Sequence, residues 1–173
     1  MKKVFLITFA LGLAAFFACN KDDNSSAKDL VTLHIRLTDG PGDYQQVNVD
    51  IKEVRIKAAN DTSQWVSLNT NAGIYNLLDF QNGVDTLLAT GMVPADVLKE
   101  VRFILGPDNS VMVDSIVYPL QTPSAQQSGL KIKIDKSLNL DINTLTLDFD
   151  AEQSVVKTGN GGFILKPVIK VKN

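Results

Sequence analysis

The stretch Val47-Asn48-Val49-Asp50-Ile51-Lys52-Glu53-Val54-Arg55-Ile56-Lys57-Ala58 constrains the fold more than any other. Its apolar residues recur at every second position, but the phase flips midway. Val47, Val49 and Ile51 hold one parity; Val54, Ile56 and Ala58 hold the opposite one. Side chains of a strand alternate between its two faces, so an uninterrupted strand would bury one set and expose the other. The flip at Lys52-Glu53 therefore predicts either a β-bulge or a crossing between two sheets at the corner of a sandwich.

The same two-residue period runs through the chain from Leu30 onward. In LVTLHIRLT, Val31, Leu33, Ile35 and Leu37 face one way, and Thr32, His34, Arg36 and Thr38 the other. TLTLDFD repeats the pattern with Leu145, Leu147 and Phe149 inward and Thr146, Asp148 and Asp150 outward. VLKEVRFIL, QWVSL and LKIKI read as strands, and SVMVDSIVYPL as two strands around a tight turn at Asp114-Ser115. IYNLLDF fits a strand or a short helical turn, and VDTLLATGMV is equally ambiguous. GGFILKPVIKVK ends the chain, and its Pro167 calls for an edge position or a bulge. Many short strands separated by turn formers predict an all-β fold, an antiparallel β-sandwich.

The first residues have a different character. Met1-Lys2-Lys3 is followed by an uncharged run from Val4 to Ala18, too short to span a membrane and suited to a secretory leader. The lone cysteine, Cys19, comes directly after small Ala18. Phe16-Phe17-Ala18-Cys19 resembles the cleavage box of a bacterial lipoprotein signal, with Phe16 in place of the usual Leu. The resemblance implies a diacylglycerol on the Cys19 sulfur and a further acyl chain on its amine, enough apolar methylenes for a lasting membrane anchor. A lone cysteine has no disulfide partner, which favours this reading over plain secretion. Asn20-Lys21-Asp22-Asp23 resembles a signal for display on the outer surface of the outer membrane. The expected organisation is a leader at 1–18, a lipidated Cys19 on a polar tether at 19–29, and one sandwich domain at 30–173.

Composition narrows the partners. The chain carries 17 basic and 19 acidic residues. Loss of a leader containing Lys2 and Lys3 leaves 15 basic against 19 acidic, a balance of −4. No basic stripe is legible along the chain, so a nucleic-acid partner is not expected.

Few side chains offer chemistry. His34 is the single histidine and lies on the polar side of a strand with no nearby nucleophile, which leaves the usual serine or cysteine hydrolase without its base. Zinc needs several His or Cys ligands, and the sequence lacks them. Asp148 and Asp150 are two apart on a strand and are expected to share a face. Such a pair can split its pKa values for acid–base work, or bind calcium with help from loop residues Asp39 and Asp43. A glycosidase pair is the remoter version. The plainer expectation is that Asp39 and Asp150 accept backbone N–H groups in turns. Trp65 is expected at the margin of the core, the alternative being an outward ring that stacks on a sugar. KTGNGG joins two strands, so it reads as a hairpin loop and not as a phosphate loop, and no cofactor is expected.

Two segments together resemble the family catalogued as domain of unknown function 4382, whose members are largely bacterial lipoproteins or exported proteins. The family pattern is met by Thr38, Asp39 and Pro41, by Asp148, Phe149, Asp150, Ala151 and Ser154, and by Leu165, Lys166 and Pro167. The resemblance implies a transthyretin-like (prealbumin-like) sandwich and no established activity. The expected function is that of a surface-exposed, lipid-anchored outer-membrane protein that is not an enzyme and binds a glycan or a protein partner. The alternatives are a structural or adhesin-like subunit and, last, a carboxylate-based hydrolase or calcium-dependent module. Asp39, Asp148, Asp150 and Trp65 are the candidate ligand or ion contacts.

Overall fold

The computed structural model describes residues 29–59, 61–123, 129–138 and 143–172. The leader and Cys19 lie outside the described residues. The strands are β1 (Leu30–Thr38), β2 (Gln46–Ala58), β3 (Asp61–Ser67), β4 (Asn69–Thr70), β5 (Gly73–Asn76), β6 (Thr86–Pro94) and β7 (Val97–Leu105). There follow β8 (Ser110–Val113), β9 (Ile116–Gln121), β10 (Leu130–Ser137), β11 (Asn143–Phe149), β12 (Val155–Lys157), β13 (Phe163–Leu165) and β14 (Ile169–Lys172). A 3-10 turn at Leu77–Phe80 follows β5, and one helical turn, α1 (Ala151–Ser154), follows β11. IYNLLDF is thus strand and helical turn in succession.

The strands form two sheets. The five-stranded sheet has the order β14-β11-β1-β6-β4. The nine-stranded sheet runs β10-β7-β2-β8-β9-β13-β12, with β3 and β5 also paired to β2. One continuous apolar core gathers the inward side chains of both sheets: Leu33, Ile35 and Leu37 of β1 and Leu145, Leu147 and Phe149 of β11, with Val49, Ile51 and Val54 of β2 and Phe103 of β7. Each is essentially fully buried, and burial of such a side chain stabilises by about 1.5–3 kcal/mol.

The all-β sandwich is as the alternation predicts, but the sheets are mixed and not purely antiparallel. β1 runs parallel to β11, with Leu33 opposite Asn143 and Thr38 opposite Asp148. β13 runs parallel to β9. Parallel neighbours need a long connection, and strand alternation carries no information about direction.

The phase flip of β2 is a bulge. Against β7, the register steps from Ile51–Leu105 to Glu53–Ile104, which leaves exposed Lys52 as the extra residue. β2 stays in one sheet throughout and does not cross at a corner. At the β8–β9 hairpin, Asp114 and Ser115 both have positive φ, 51° and 64°. That is the backbone of a type I′ turn, whose twist suits a two-residue hairpin loop.

One buried carboxylate sits beside the bulge. Asp50 is 0% exposed because the β7–β8 loop covers it. Asn109 Oδ1 accepts from Asp50 N–H at 2.9 Å, and Gly106 N–H donates to Asp50 C=O at 2.8 Å. Lys52 Nζ lies 2.8 Å from Asp50 Oδ1, an ionic contact off the hydrogen-bond direction. The loop comes so close that a Cβ on Gly106 would lie 1.9 Å from Asp50 Oδ2. Gly106→Ala is therefore expected to lower stability by about 1–3 kcal/mol through overpacking, read as a lower urea midpoint. An unchanged midpoint would mean that the loop does not rest on Asp50.

Candidate functional site

The parallel pairing of β1 with β11 brings the ends of both strands to the same end of the sheet. Asp39 follows β1, and Asp150 follows β11, so residues more than a hundred positions apart become neighbours. Asp39 is 3% exposed. Its Oδ1 accepts the N–H of Ala151 at 2.8 Å, and its Oδ2 accepts from Gln81 Nε2 at 3.3 Å. Its own N–H donates to Phe80 C=O at 3.0 Å. The preceding Thr38 hydroxyl lies 2.7 Å from Val84 C=O and 2.9 Å from Phe80 C=O. Thr38-Asp39 thus fastens the end of β1 to the 3-10 turn on one side and to α1 on the other.

Asp150 starts α1. Its Oδ1 accepts the N–H of Gln153 at 3.0 Å, the N-cap role in which a carboxylate satisfies a donor left free by the first turn. Because Asp150 lies past the end of β11, it does not share a strand face with Asp148. Asp148 remains on β11, with Oδ1 buried and without a hydrogen bond. The loop Gly40-Pro41-Gly42 lies beside them: a Cβ on Gly40 would be 4.0 Å from Asp148 Oδ1, and one on Gly42 would be 3.2 Å from Glu152 Oε2.

Ser154, fully buried, closes α1 onto the last crossing of the chain. Between β13 and β14, residues Lys166 to Val168 leave the larger sheet for the smaller one and have no strand partner. Lys166 N–H donates to Ser154 C=O at 2.7 Å. Val168 N–H donates to Ser154 Oγ at 2.8 Å. Val168 C=O accepts from Asp150 N–H at 3.0 Å. Pro167 between them has no N–H to satisfy. Its place is therefore the junction itself, and the strand that follows, β14, is an edge strand.

Burial pushes the Asp39 carboxyl above the ordinary aspartate value. The bonds from Ala151 and Gln81 oppose that shift, and the negative charges of Asp148 and Asp150 add to it. The structure thus gathers three of the expected residues, Asp39, Asp148 and Asp150, at one end of the five-stranded sheet. It does not arrange them as a metal centre: among the described residues no three His, Cys, Asp or Glu side chains are placed to hold an ion. Two of the three acids bind backbone N–H groups, as the turn reading expects.

Trp65 is elsewhere, on the outer face of the nine-stranded sheet. It is half-buried, but not at the margin of the core. Arg102 lies over its ring at 3.8 Å and Lys57 at 5.1 Å from the centroid. His34, by its Nδ1, is 3.0 Å from Thr90 Oγ1. Asp50 and the basic cross-strand neighbours of Trp65 escaped the sequence reading. Alternation marks Arg55, Arg102 and Lys131 as outward, but not as adjacent to one another.

These features define a β-sandwich whose two end motifs form one buried polar fastening. The family described as a domain of unknown function (DUF4382) matches residues 31–167, and the chain belongs to that family. No curated protein and no solved structure matches the chain.

The raised value of Asp39 fixes the sign of a pH effect. The folded state binds the proton more tightly than the unfolded chain, so the stability due to Asp39 is greatest in acid. It is lost as pH rises from the ordinary value of roughly 3.9 through the raised one. Asp39→Asn keeps an oxygen for Ala151 but cannot ionise, so its stability relative to the native chain should improve over that rise. Asp39→Ala should cost about 1–3 kcal/mol in acid by leaving the Ala151 N–H unpaired, and this cost should shrink over the same rise. Denaturant titrations of both variants across pH test this; parallel curves for Asp39→Asn and the native chain would refute the shift.

Proposed function

We propose that this chain is a non-enzymatic binding module, held by acyl chains on Cys19 to the outer membrane and facing the exterior, which takes a glycan or a protein partner. The observation that carries the non-catalytic part is what the polar residues of the family pattern do. Asp39 and Asp150 hold backbone N–H groups of α1, and Ser154 holds one of the crossing segment before β14. A group engaged in holding loops is poorly placed to attack or to exchange protons with a substrate. The anchor rests on the uncharged run before Ala18-Cys19 and on the solitary cysteine. Family membership supports a transthyretin-like reading of the sandwich.

The alternative of a structural or adhesin-like subunit that exchanges strands finds less support. The two edge strands that flank one open side of the sandwich, β10 and β14, carry Lys131, Lys133 and Lys136 and Lys170 and Lys172. Lysines on an edge oppose pairing with a further strand.

Labelled palmitate should enter the native protein and not Cys19→Ser, and protease added to intact cells should remove the domain. The purified domain should bind at least one ligand on a glycan array or in a surface cross-linking experiment, with no turnover of it. Failure of labelling, or hydrolysis lost in Asp39→Asn, would overturn the proposal.

A further inference from the structure

The outer face of the nine-stranded sheet carries a charge arrangement that folding does not require. Arg102 of β7 lies directly opposite Arg55 of β2 on one side and directly opposite Lys131 of β10 on the other. Their sequence neighbours Val54, Ile56, Val101, Phe103, Leu130 and Ile132 are buried, so these three cations share the outward face. Adjacent strands are about 4.8 Å apart, and like charges placed directly opposite destabilise a sheet. In the parallel row beside it, Glu100 lies between Lys57 and Lys133.

The acids on this face are too few to balance it. Five cations (Arg55, Lys57, Arg102, Lys131 and Lys133) stand against Glu53 and Glu100. Glu53 is bound to Arg55 at 2.6 Å. Among the described residues, no carboxylate forms an ion pair with Arg102, Lys131 or Lys133. Nε of Arg55 and Nε of Arg102 are both covered and have no acceptor. All this stands on a chain whose net charge is −2, so the positive charge is segregated and not a reflection of composition. Trp65 holds the Arg102 guanidinium over its ring, 3.8 Å from the centroid, which limits the freedom that Arg102 would lose on binding. At the rim beyond Lys131 and Lys133, a cleft of about 380 Å³ opens beside Gly129, Pro167 and Ile169, within the size range of ligand pockets.

Resting on the binding-module reading, we propose that this face binds an acidic polysaccharide, with Arg55, Arg102, Lys131 and Lys133 taking its anionic groups and Trp65 positioning Arg102. A polymer with an anion on successive units suits cations repeated from strand to strand. Guanidinium groups pair well with carboxylate and sulfate oxygens. An anionic membrane fits less well, since a surface that enters lipid presents apolar side chains beside its cations. None of the large exposed apolar residues lies on β2, β7 or β10, the strands that carry these cations; two of them, Val66 and Ile74, are on β3 and β5, which pair with β2.

The test is affinity electrophoresis and calorimetry of the full domain with polygalacturonate, dextran sulfate and neutral dextran, and flotation with phosphatidylglycerol vesicles. Binding to polygalacturonate, to dextran sulfate or to both is expected, falling with salt, with none to dextran. Which polymer binds tells whether the anion is carboxylate or sulfate. Lys131→Gln with Lys133→Gln should weaken binding at least tenfold and flatten its salt dependence, with thermal stability unchanged. Lys157→Gln, on β12 at the far end of the sheet, should change nothing. Trp65→Ala should weaken binding, and Trp65→Phe should restore most of it. Absence of binding to both acidic polymers, full binding by the double variant, or a preference for the vesicles would each overturn the proposal. Should a neutral glycan or a protein bind instead, this inference falls while the binding-module reading stands.

Discussion

The parallel pairing of β1 with β11 is the constraint from which the rest of the sandwich is organised. Parallel neighbours end on the same side of a sheet, so the residues just past each strand are forced together. They meet around the carboxylate of Asp39, which is almost wholly buried. A buried acid left unpaired would be costly, and Asp39 meets this condition by accepting from Ala151 and Gln81. The start of α1 is thereby fixed. Asp150 then caps the same turn, and Ser154 at its other end receives the crossing segment before β14. The four pieces stand or fall as one network, because each supplies the hydrogen-bond partner that another lacks.

That network explains why residues widely separated in the chain recur as one family pattern. Thr38 bonds to the 3-10 turn, Asp39, Asp150, Ala151, Ser154 and Lys166 are linked by hydrogen bonds with at least one backbone partner, and Pro167 sits between Lys166 and Val168, whose N–H groups both go to Ser154. Chemistry-bearing residue types therefore mark an architectural joint. The opposite holds on the outer face of the larger sheet. There Arg55, Arg102 and Lys131 stand side by side against the preference of the sheet for mixed charge. A satisfied polar network lies at one end of the molecule, and an unfavourable like-charge arrangement stands on a different surface. Proteins commonly sacrifice some stability where they bind.

Much of the strand inventory was legible because each strand buries one face and alternation has a physical cause. The parity flip in β2 pointed to Lys52-Glu53, and the bulge is there. Asp114-Ser115 read as a tight turn and adopts the left-handed backbone of one. Directions were not legible, and the parallel pairings depart from the antiparallel expectation. Asp39, Asp148 and Asp150 come together at one end of the five-stranded sheet, and Asp39 and Asp150 take the turn role that was the plainer expectation. Asp148 and Asp150 were expected on one face, but α1 begins between β11 and β12 and takes Asp150 out of the strand. Trp65 was assigned to the core margin because lone tryptophans are usually buried there. Its half-burial comes instead from Arg102 and Lys57, which belong to other strands.

The sequence by itself determined which apolar residues of the regular strands face inward, where the parity of β2 must change and that the body is built of strands. All of these follow from the two-residue period and from the cost of exposing apolar side chains. Only the tertiary structure decided which strands are neighbours and in which direction they run. Those choices bring Asp39 to Ala151 and Arg55 to Arg102 and Lys131. They depend on the packing of both sheets at once, and no local stretch of the chain contains that information.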